Sequence, residues 1–430
     1  MVEDQYHGRK ITGKLIANNF FKKILNKCYT YQAQLSTENP WGIHKTKCRV
    51  SMGAAEKATK KLLFVTGTRA DFGKLEPLAL LARDQGFNVT FWVTGMHMLE
   101  RYGLTKIEVQ RLPGVSVSEF ANQDGNEPQD LILANTVIGF SKFVQMHQPD
   151  LVIVHGDRIE ALACAIVCAT NYIRCAHIEG GEISGTIDEI LRHCNTKLAS
   201  FHFVSSEKAA ERVARLGEPK DKIYVIGSPE LDFHLRSSGV QIEEVRAHYS
   251  IPFKDFGICT FHPVTSEQDT MAKQARSFFE ALNISGRSFV VILPNNDPGA
   301  EIIFSEIEQL PKDRFRVLPS MRFAHFSELM KNAACIVGNS SAGVREAPFL
   351  CVPSLDVGTR QNRRAASNSI TNVKADDQSS ILNFLKNEWG KRYPKCKEFG
   401  QGSAAERFVQ LLHSDTFWQT DLQKTFVDHA

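Results

Sequence analysis

At Lys60 the pattern of hydrophobic and polar positions changes abruptly. An apolar, β-rich run from Leu62 to Thr66 ends in Gly67-Thr68-Arg69-Ala70-Asp71, and an amphipathic stretch from Leu75 to Ala82 follows, which reads as strand, tight loop and helix. Apolar runs recur at Val89 to Val93, at Leu151 to His155 before a helix over Ile159 to Thr170, and at Phe201 to Val204 before a helix over Glu207 to Leu216. Strands without polar alternation, separated by helices, predict a parallel sheet covered on both faces. A second series follows the polar stretch around Ser237 to Tyr249: Gly257 to Phe261, Phe289 to Leu293, Phe315 to Leu318, Cys335 to Val337 and Pro353 to Val357. Two βαβ domains joined near residues 228–255 account for both series. The divisions are an extension over 1–56, a first domain over 57–235, and a second over 236–430 that ends in helices.

Composition adds little until charge is divided along the chain. The 430 residues are 43% hydrophobic and 23% charged, ordinary globular values, and a net charge of +3 is too small to call for a nucleic acid. Residues 1–52 hold nine Lys and Arg against three Asp and Glu, so a basic leader precedes a mildly acidic body. The leader reads in three ways: a disordered or helical extension, a misassigned start with Met52 as the true one, or an arm for a membrane surface. Glu3 and Asp4 argue against a transit peptide, and no apolar run is long enough to cross a bilayer, so the expectation is a cytoplasmic protein with no membrane partner. Ten cysteines without a CxxC pair, several inside apolar runs, read as buried free thiols.

Candidate chemistry falls at strand ends, where ligands bind in open α/β sheets. His155-Gly156-Asp157-Arg158 follows one strand and His177-Ile178-Glu179-Gly180-Gly181-Glu182 the next, so two carboxylates project from adjacent strand termini. Asp188 and Arg192 then lie four residues apart, on one face of a helix. Catalytic acids are one reading; the other is an ion-pair network, Asp157 held by Arg158 and Asp188 by Arg192. In the second half, Gly338-Asn339-Ser340-Ser341-Ala342-Gly343 opens a helix containing Arg345 and Glu346, a pattern that suits a diphosphate cradle or a plain N-cap. Arg360, beyond the next strand, can pair with phosphate as a fork, and His262 follows a strand at the hinge side as either a structural or a phosphate-binding group. Gly67 to Asp71 resembles half a phosphate loop but lacks G-x-G-x-x-G, and neither G-x-x-x-x-G-K-[ST] nor H-E-x-x-H occurs. No cofactor and no metal are called for.

Read together with Val93-Thr94-Gly95-Met96-His97 and Gly185-Thr186-Ile187-Asp188-Glu189, these motifs resemble the hydrolysing UDP-N-acetylglucosamine 2-epimerases of sialic acid biosynthesis, from about Lys61 to His429. The resemblance implies a GT-B fold with the nucleotide sugar between two Rossmann-like domains, a homodimer or homotetramer, and release of N-acetylmannosamine and UDP through a 2-acetamidoglucal. It carries acid/base roles onto Asp157, Glu179 and Asp188. Diphosphate contacts fall to Arg69, Ser340, Ser341 and Arg360, and ribose contacts to Glu346. His262 and Asn295 come near the nucleotide or sugar, and Asp71, His97 and Arg158 belong to the same substrate-binding set. With no room for a kinase after the epimerase region, it implies the single-function form.

Four other readings share the fold. A hydrolysing epimerase for UDP-N,N′-diacetylbacillosamine differs only in the C4 and C6 pockets of the sugar. A non-hydrolysing epimerase would carry His-Gly-Asp-Thr and Glu-Ala-Gly in place of His155 to Arg158 and Glu179 to Gly181. A GT-B glycosyltransferase, or a non-catalytic nucleotide-sugar sensor, has little use for clustered acids at Asp157, Glu179 and Asp188.

Overall fold

The hydrophobic runs become strands buried on both sides. β1 (Lys61–Thr66), β2 (Asn88–Val93), β3 (Ser116–Glu119), β4 (Leu151–His155), β5 (Cys175–Ile178), β6 (Phe201–Val204) and β7 (Ile223–Val225) form a parallel sheet in the order β3-β2-β1-β4-β5-β6-β7. β8 (Gly257–Thr260), β9 (Phe289–Ile292), β10 (Phe315–Leu318), β11 (Ile336–Gly338), β12 (Ser354–Val357) and β13 (Ile370–Val373) form a second, in the order β10-β9-β8-β11-β12-β13. The computed structural model describes residues 59–430 apart from 126, 185–186, 237–238, 295–296, 426 and 429–430. The leader and Asn295 lie outside the described residues.

Each sheet is covered twice, which is why its strands show no polar alternation. Leu62 and Phe64 face a cluster with Leu75 and Leu78 of the helix Arg69–Asp84, while Leu63 and Val65 face Phe140 and Cys164 of the helices Gln129–His147 and Ile159–Thr170. Burying each such side chain contributes roughly 1.5–3 kcal/mol. The second sheet repeats the arrangement, with Cys259 and Val291 toward one layer and Ile258 and Val290 toward the other.

The chain does not end where the proposed division at residue 236 would leave it. The helix Ala404–Leu412 and the turn Asp415–Trp418 pack on the first sheet, with Phe408 and Phe417 against Phe64 and Phe203. Buried Asp232 fixes that return by accepting from the amides of Ala404 (2.9 Å) and Ala405 (2.7 Å), the free donors of the helix's first turn. The first layer is therefore built from both ends of the described chain.

Sheet order decides where a ligand can sit. In both sheets connections reverse direction between the first and fourth strands, β1 and β4 in one and β8 and β11 in the other, opening a crevice at their carboxyl ends. The close approach there requires glycine at 338: its φ is +125°, and a Cβ would lie 2.0 Å from the Thr260 carbonyl oxygen on the neighbouring strand.

Candidate active site

Loops after β1, β4, β5, β8, β11 and β12 meet in this crevice. After β1, Thr68 caps the helix Arg69–Asp84, and Asp71 returns the bond in a capping box. Both Asp71 oxygens serve this loop: Oδ1 accepts from Thr66 Oγ1 (2.8 Å) and the Thr68 amide (2.9 Å), Oδ2 from the Gly67 amide (2.9 Å). Asp71 thus stands in the wall of the crevice while its carboxylate shapes the loop. His97, expected at the substrate, is absent from that wall. It is fully buried beneath the loop, its ring nitrogens 2.9 Å from Thr66 Oγ1 and 2.5 Å from Thr105 Oγ1, and burial pulls its pKa down to about 4.

The three expected acids line one charged chamber of about 130 Å³. Asp157 follows β4, Glu179 follows β5, and Asp188 opens the helix Ile187–Leu198. Their partners differ from the sequence expectation. Arg192 reaches back from the second turn of its helix to Asp157, Asp188 faces Arg360 of the second domain at 3.4 Å, and Arg158 crosses to Asp297 at 3.2 Å. The physical reason is backbone direction: Arg158 is the extended N-cap of the helix Ile159–Thr170, so its side chain leaves the loop that carries Asp157.

Glu179 is the centre of the cluster. Oε2 accepts from Lys74 Nζ at 2.7 Å and lies 2.6 Å from His155 Nε2, while Oε1 accepts from Arg364 at 2.6 Å and from Arg345. Lys74 and the His155 ring come from the first domain and the two arginines from the second, so the acid is complete only with both sheets present. Its φ of +71° lies in the left-handed region, which costs a residue with a Cβ about 1–2 kcal/mol. Burial above all, with Arg345 and Arg364 acting in the same direction and Glu230 and Glu346 opposing, brings the pKa of Lys74 down to about 7. Burial likewise holds His155 well below the usual histidine value, so its ring is neutral near pH 7.

Thr68, Lys74, His262, Ser340 and Ser341 also line a second, apolar chamber of about 200 Å³, so the two form one cleft. Leu293, Pro294, Met321, Phe323 and Phe326 give it a flat, greasy wall, and Arg69 and Glu346 stand at its polar edge. Arg69 is itself held by Glu108 (Nε to Oε2, 3.0 Å), and Glu346 accepts from His234 at 2.6 Å. Burial alone would raise the Glu346 pKa, but the His234 bond and the nearby Lys74 and Arg345 bring it below the usual carboxylate value. Where the chambers join, Ser340 caps the helix Ser341–Phe349 by accepting from the Ala342 amide, so the positive end of the helix dipole lies at the junction. Asn339 grips the neighbouring loop through the His262 amide (2.6 Å) and carbonyl (2.8 Å). Burial first, then Arg360, drops the His262 pKa to about 3, so it acts as a neutral hydrogen-bonding group. A charged chamber, a helix N-terminus and an apolar slot thus follow one another along a single cleft.

Similarity to known proteins agrees with this geometry. Residues 79–413 match the family model described as UDP-N-acetylglucosamine 2-epimerase. The chain belongs to that family. It is 41% identical over 374 residues to the UDP-N-acetylglucosamine 2-epimerase of Neisseria meningitidis, covering 86% of this chain and 99% of that one. It is 31% identical to the hydrolysing UDP-N,N′-diacetylbacillosamine 2-epimerase of Legionella pneumophila, over 82% of this chain and 95% of the relative. A solved UDP-GlcNAc 2-epimerase from Methanocaldococcus jannaschii, in complex with UDP-GlcNAc and UDP, superposes with a TM-score of 0.71 at 22% identity, over 82% of this chain and 99% of that one. The fold of this epimerase-family chain is GT-B.

Several site groups of the epimerase-family chain escaped sequence reasoning. Lys74 and Arg345 left a usable trace: each is a charged residue inside an otherwise buried helical run, Phe72–Leu75 and Ala342–Phe349. Arg364 and Asp297 left none, because each comes from a loop and gains its partner only across the cleft.

Proposed function

We propose that the chain hydrolyses UDP-N-acetylglucosamine to N-acetylmannosamine and UDP, with Asp157, Glu179 and Asp188 as the groups that move protons on the sugar. The observation that carries this reading is the placement of three carboxylates from three successive elements around one chamber that opens onto an anion-binding helix end. Loss of the C2 proton with departure of UDP gives a 2-acetamidoglucal. Water then adds at C1 while C2 takes a proton on the opposite face, so one water is consumed per turnover. Proton transfers of this kind gain roughly 10²- to 10⁴-fold from each positioned acid or base. Arg69, Ser340, Ser341 and Arg360 stabilise the departing diphosphate, Glu346 meets the ribose, and His262 stands beside them as a neutral hydrogen-bonding group. The 41% identity to an enzyme named for UDP-N-acetylglucosamine favours that sugar; the relative named for UDP-N,N′-diacetylbacillosamine, at 31%, supports the second candidate.

Incubating purified protein with each sugar and following the products by proton NMR separates the two, and in D₂O the free sugar should carry deuterium at C2. No product from either substrate sinks the reading. Action in the cytoplasm fits the eight described cysteines, all free thiols, and Leu131, Ile138 and Met146, exposed along the helix Gln129–His147, offer a face for a homodimer.

Lys74 gives the reaction a pH signature. With its pKa brought to about 7, Lys74 is charged below that pH and neutral above it, so attraction for the substrate diphosphate weakens as pH rises through 7. KM is therefore expected to climb several-fold between pH 6.5 and 8.5, a rise that Lys74→Arg should flatten because arginine keeps its charge. A KM that is level in the unaltered protein contradicts the assignment.

A further inference from the structure

The helix Ile187–Leu198 carries much of the proposed chemistry, and it is held at both ends. Near its start stand Asp188 and, one turn on, Arg192, which holds Asp157 and also donates to the Glu182 carbonyl. Asn195 and Thr196 tie its last turn to the strand ends, through the Gly156 carbonyl (3.0 Å) and His177 Nδ1 (3.1 Å). The carbonyls at its far end have no partner within the helix. Lys424 supplies one: its ammonium donates to Ala199 O (2.7 Å) and Lys197 O (2.8 Å) and lies 3.3 Å from Thr196 O. A cation there also meets the negative end of the helix dipole.

Lys424 is anchored from behind. Fully buried Glu218 accepts from it at 2.5 Å, and His202 (2.8 Å) and Lys197 (2.7 Å) complete the carboxylate's shell. The segment leading to Lys424 is fastened along its length: Arg174 donates to Trp418 O (2.7 Å), Lys222 to Thr420 (3.1 Å) and Tyr172 to Gln423 (3.2 Å). A strap therefore runs over the first domain and finishes on the end of the site helix.

We infer that Lys424 is a positioning residue for the active site: by fastening the far end of the helix Ile187–Leu198 it sets where Asp188 and the Arg192–Asp157 pair stand. Twelve residues make a rod roughly 18 Å long. A tilt of roughly 3° about the Lys424 end displaces the other end by about 1 Å, an error able to cost up to ~10²-fold in rate. The nucleotide wall belongs mainly to the second domain, and the long Asp188–Arg360 contact is where such a tilt reaches it, so the effect falls chiefly on kcat.

The inference rests on the proposed hydrolysis, and two independent readouts keep the two apart. In Lys424→Met, kcat for UDP-N-acetylglucosamine is expected to fall roughly 10- to 100-fold with KM within about twofold, while Lys424→Arg stays within about threefold of the unaltered protein. Hydrogen exchange over residues 187–199, followed by mass spectrometry, should quicken in Lys424→Met and recover in Lys424→Arg. An unchanged kcat in folded Lys424→Met, a KM that rises in step with the fall in kcat, or unfolding of both variants overturns the inference. Should the unaltered protein release no product, the reading of function fails, and unchanged exchange over 187–199 would then overturn the strap by itself.

Discussion

Glu179→Gln is expected to lose all measurable release of UDP and to unfold with roughly 3–5 kcal/mol less free energy than the unaltered protein. The size follows from its surroundings: Lys74, Arg345 and Arg364 all donate to a carboxylate that is 3% exposed, and glutamine leaves three buried cations without their anion. A glutamine amide would also turn a donor toward one of them. Urea melts with an unchanged slope measure the loss directly. A loss below about 1 kcal/mol would mean that the cations find other partners, Glu230 and Glu182 being nearest to hand, and that the cluster is more adaptable than its geometry implies.

Asp188→Asn separates chemistry from stability. Its carboxylate stands at the cleft with Arg360 at 3.4 Å, a long contact between partly exposed groups, of a kind worth at most about 1 kcal/mol. Turnover should nevertheless fall roughly 10²- to 10⁴-fold, because an amide can neither take nor return a proton. The decisive comparison is single-turnover rate against melting temperature in one preparation. Full activity in Asp188→Asn would remove it from the proton-transferring set and leave Asp157 and Glu179 to divide the work.

Strand ends were legible in the sequence because burial on both faces writes an unmistakable apolar run, and the loop that follows each run must reach the cleft. Asp157, Glu179, Asp188, Ser340, Ser341 and Arg360 were found in this way, and all line the charged chamber. Partner choice was not legible. Four residues separate Asp188 from Arg192, which by local spacing makes a pair, yet tertiary structure gives Arg192 to Asp157 and Asp188 to the other domain. His97 was placed at the substrate by the resemblance alone, and the chain turns its ring inward onto two threonines. The outer strands β3, β7 and β13 are only partly buried and write no such run, and the return of the helix Ala404–Leu412 depends on Asp232, a capping group 172 residues away.

That return imposes an order on synthesis. As the chain leaves the ribosome, β1 and β6 emerge long before Phe408 and Phe417, the side chains that cover Phe64 and Phe203. The second sheet, closed within its own stretch of sequence, has everything it needs earlier. The domain translated first is thus the last to finish, and for most of its birth it exposes an aromatic face that a chaperone could hold. Domains more often complete themselves in the order in which they are made.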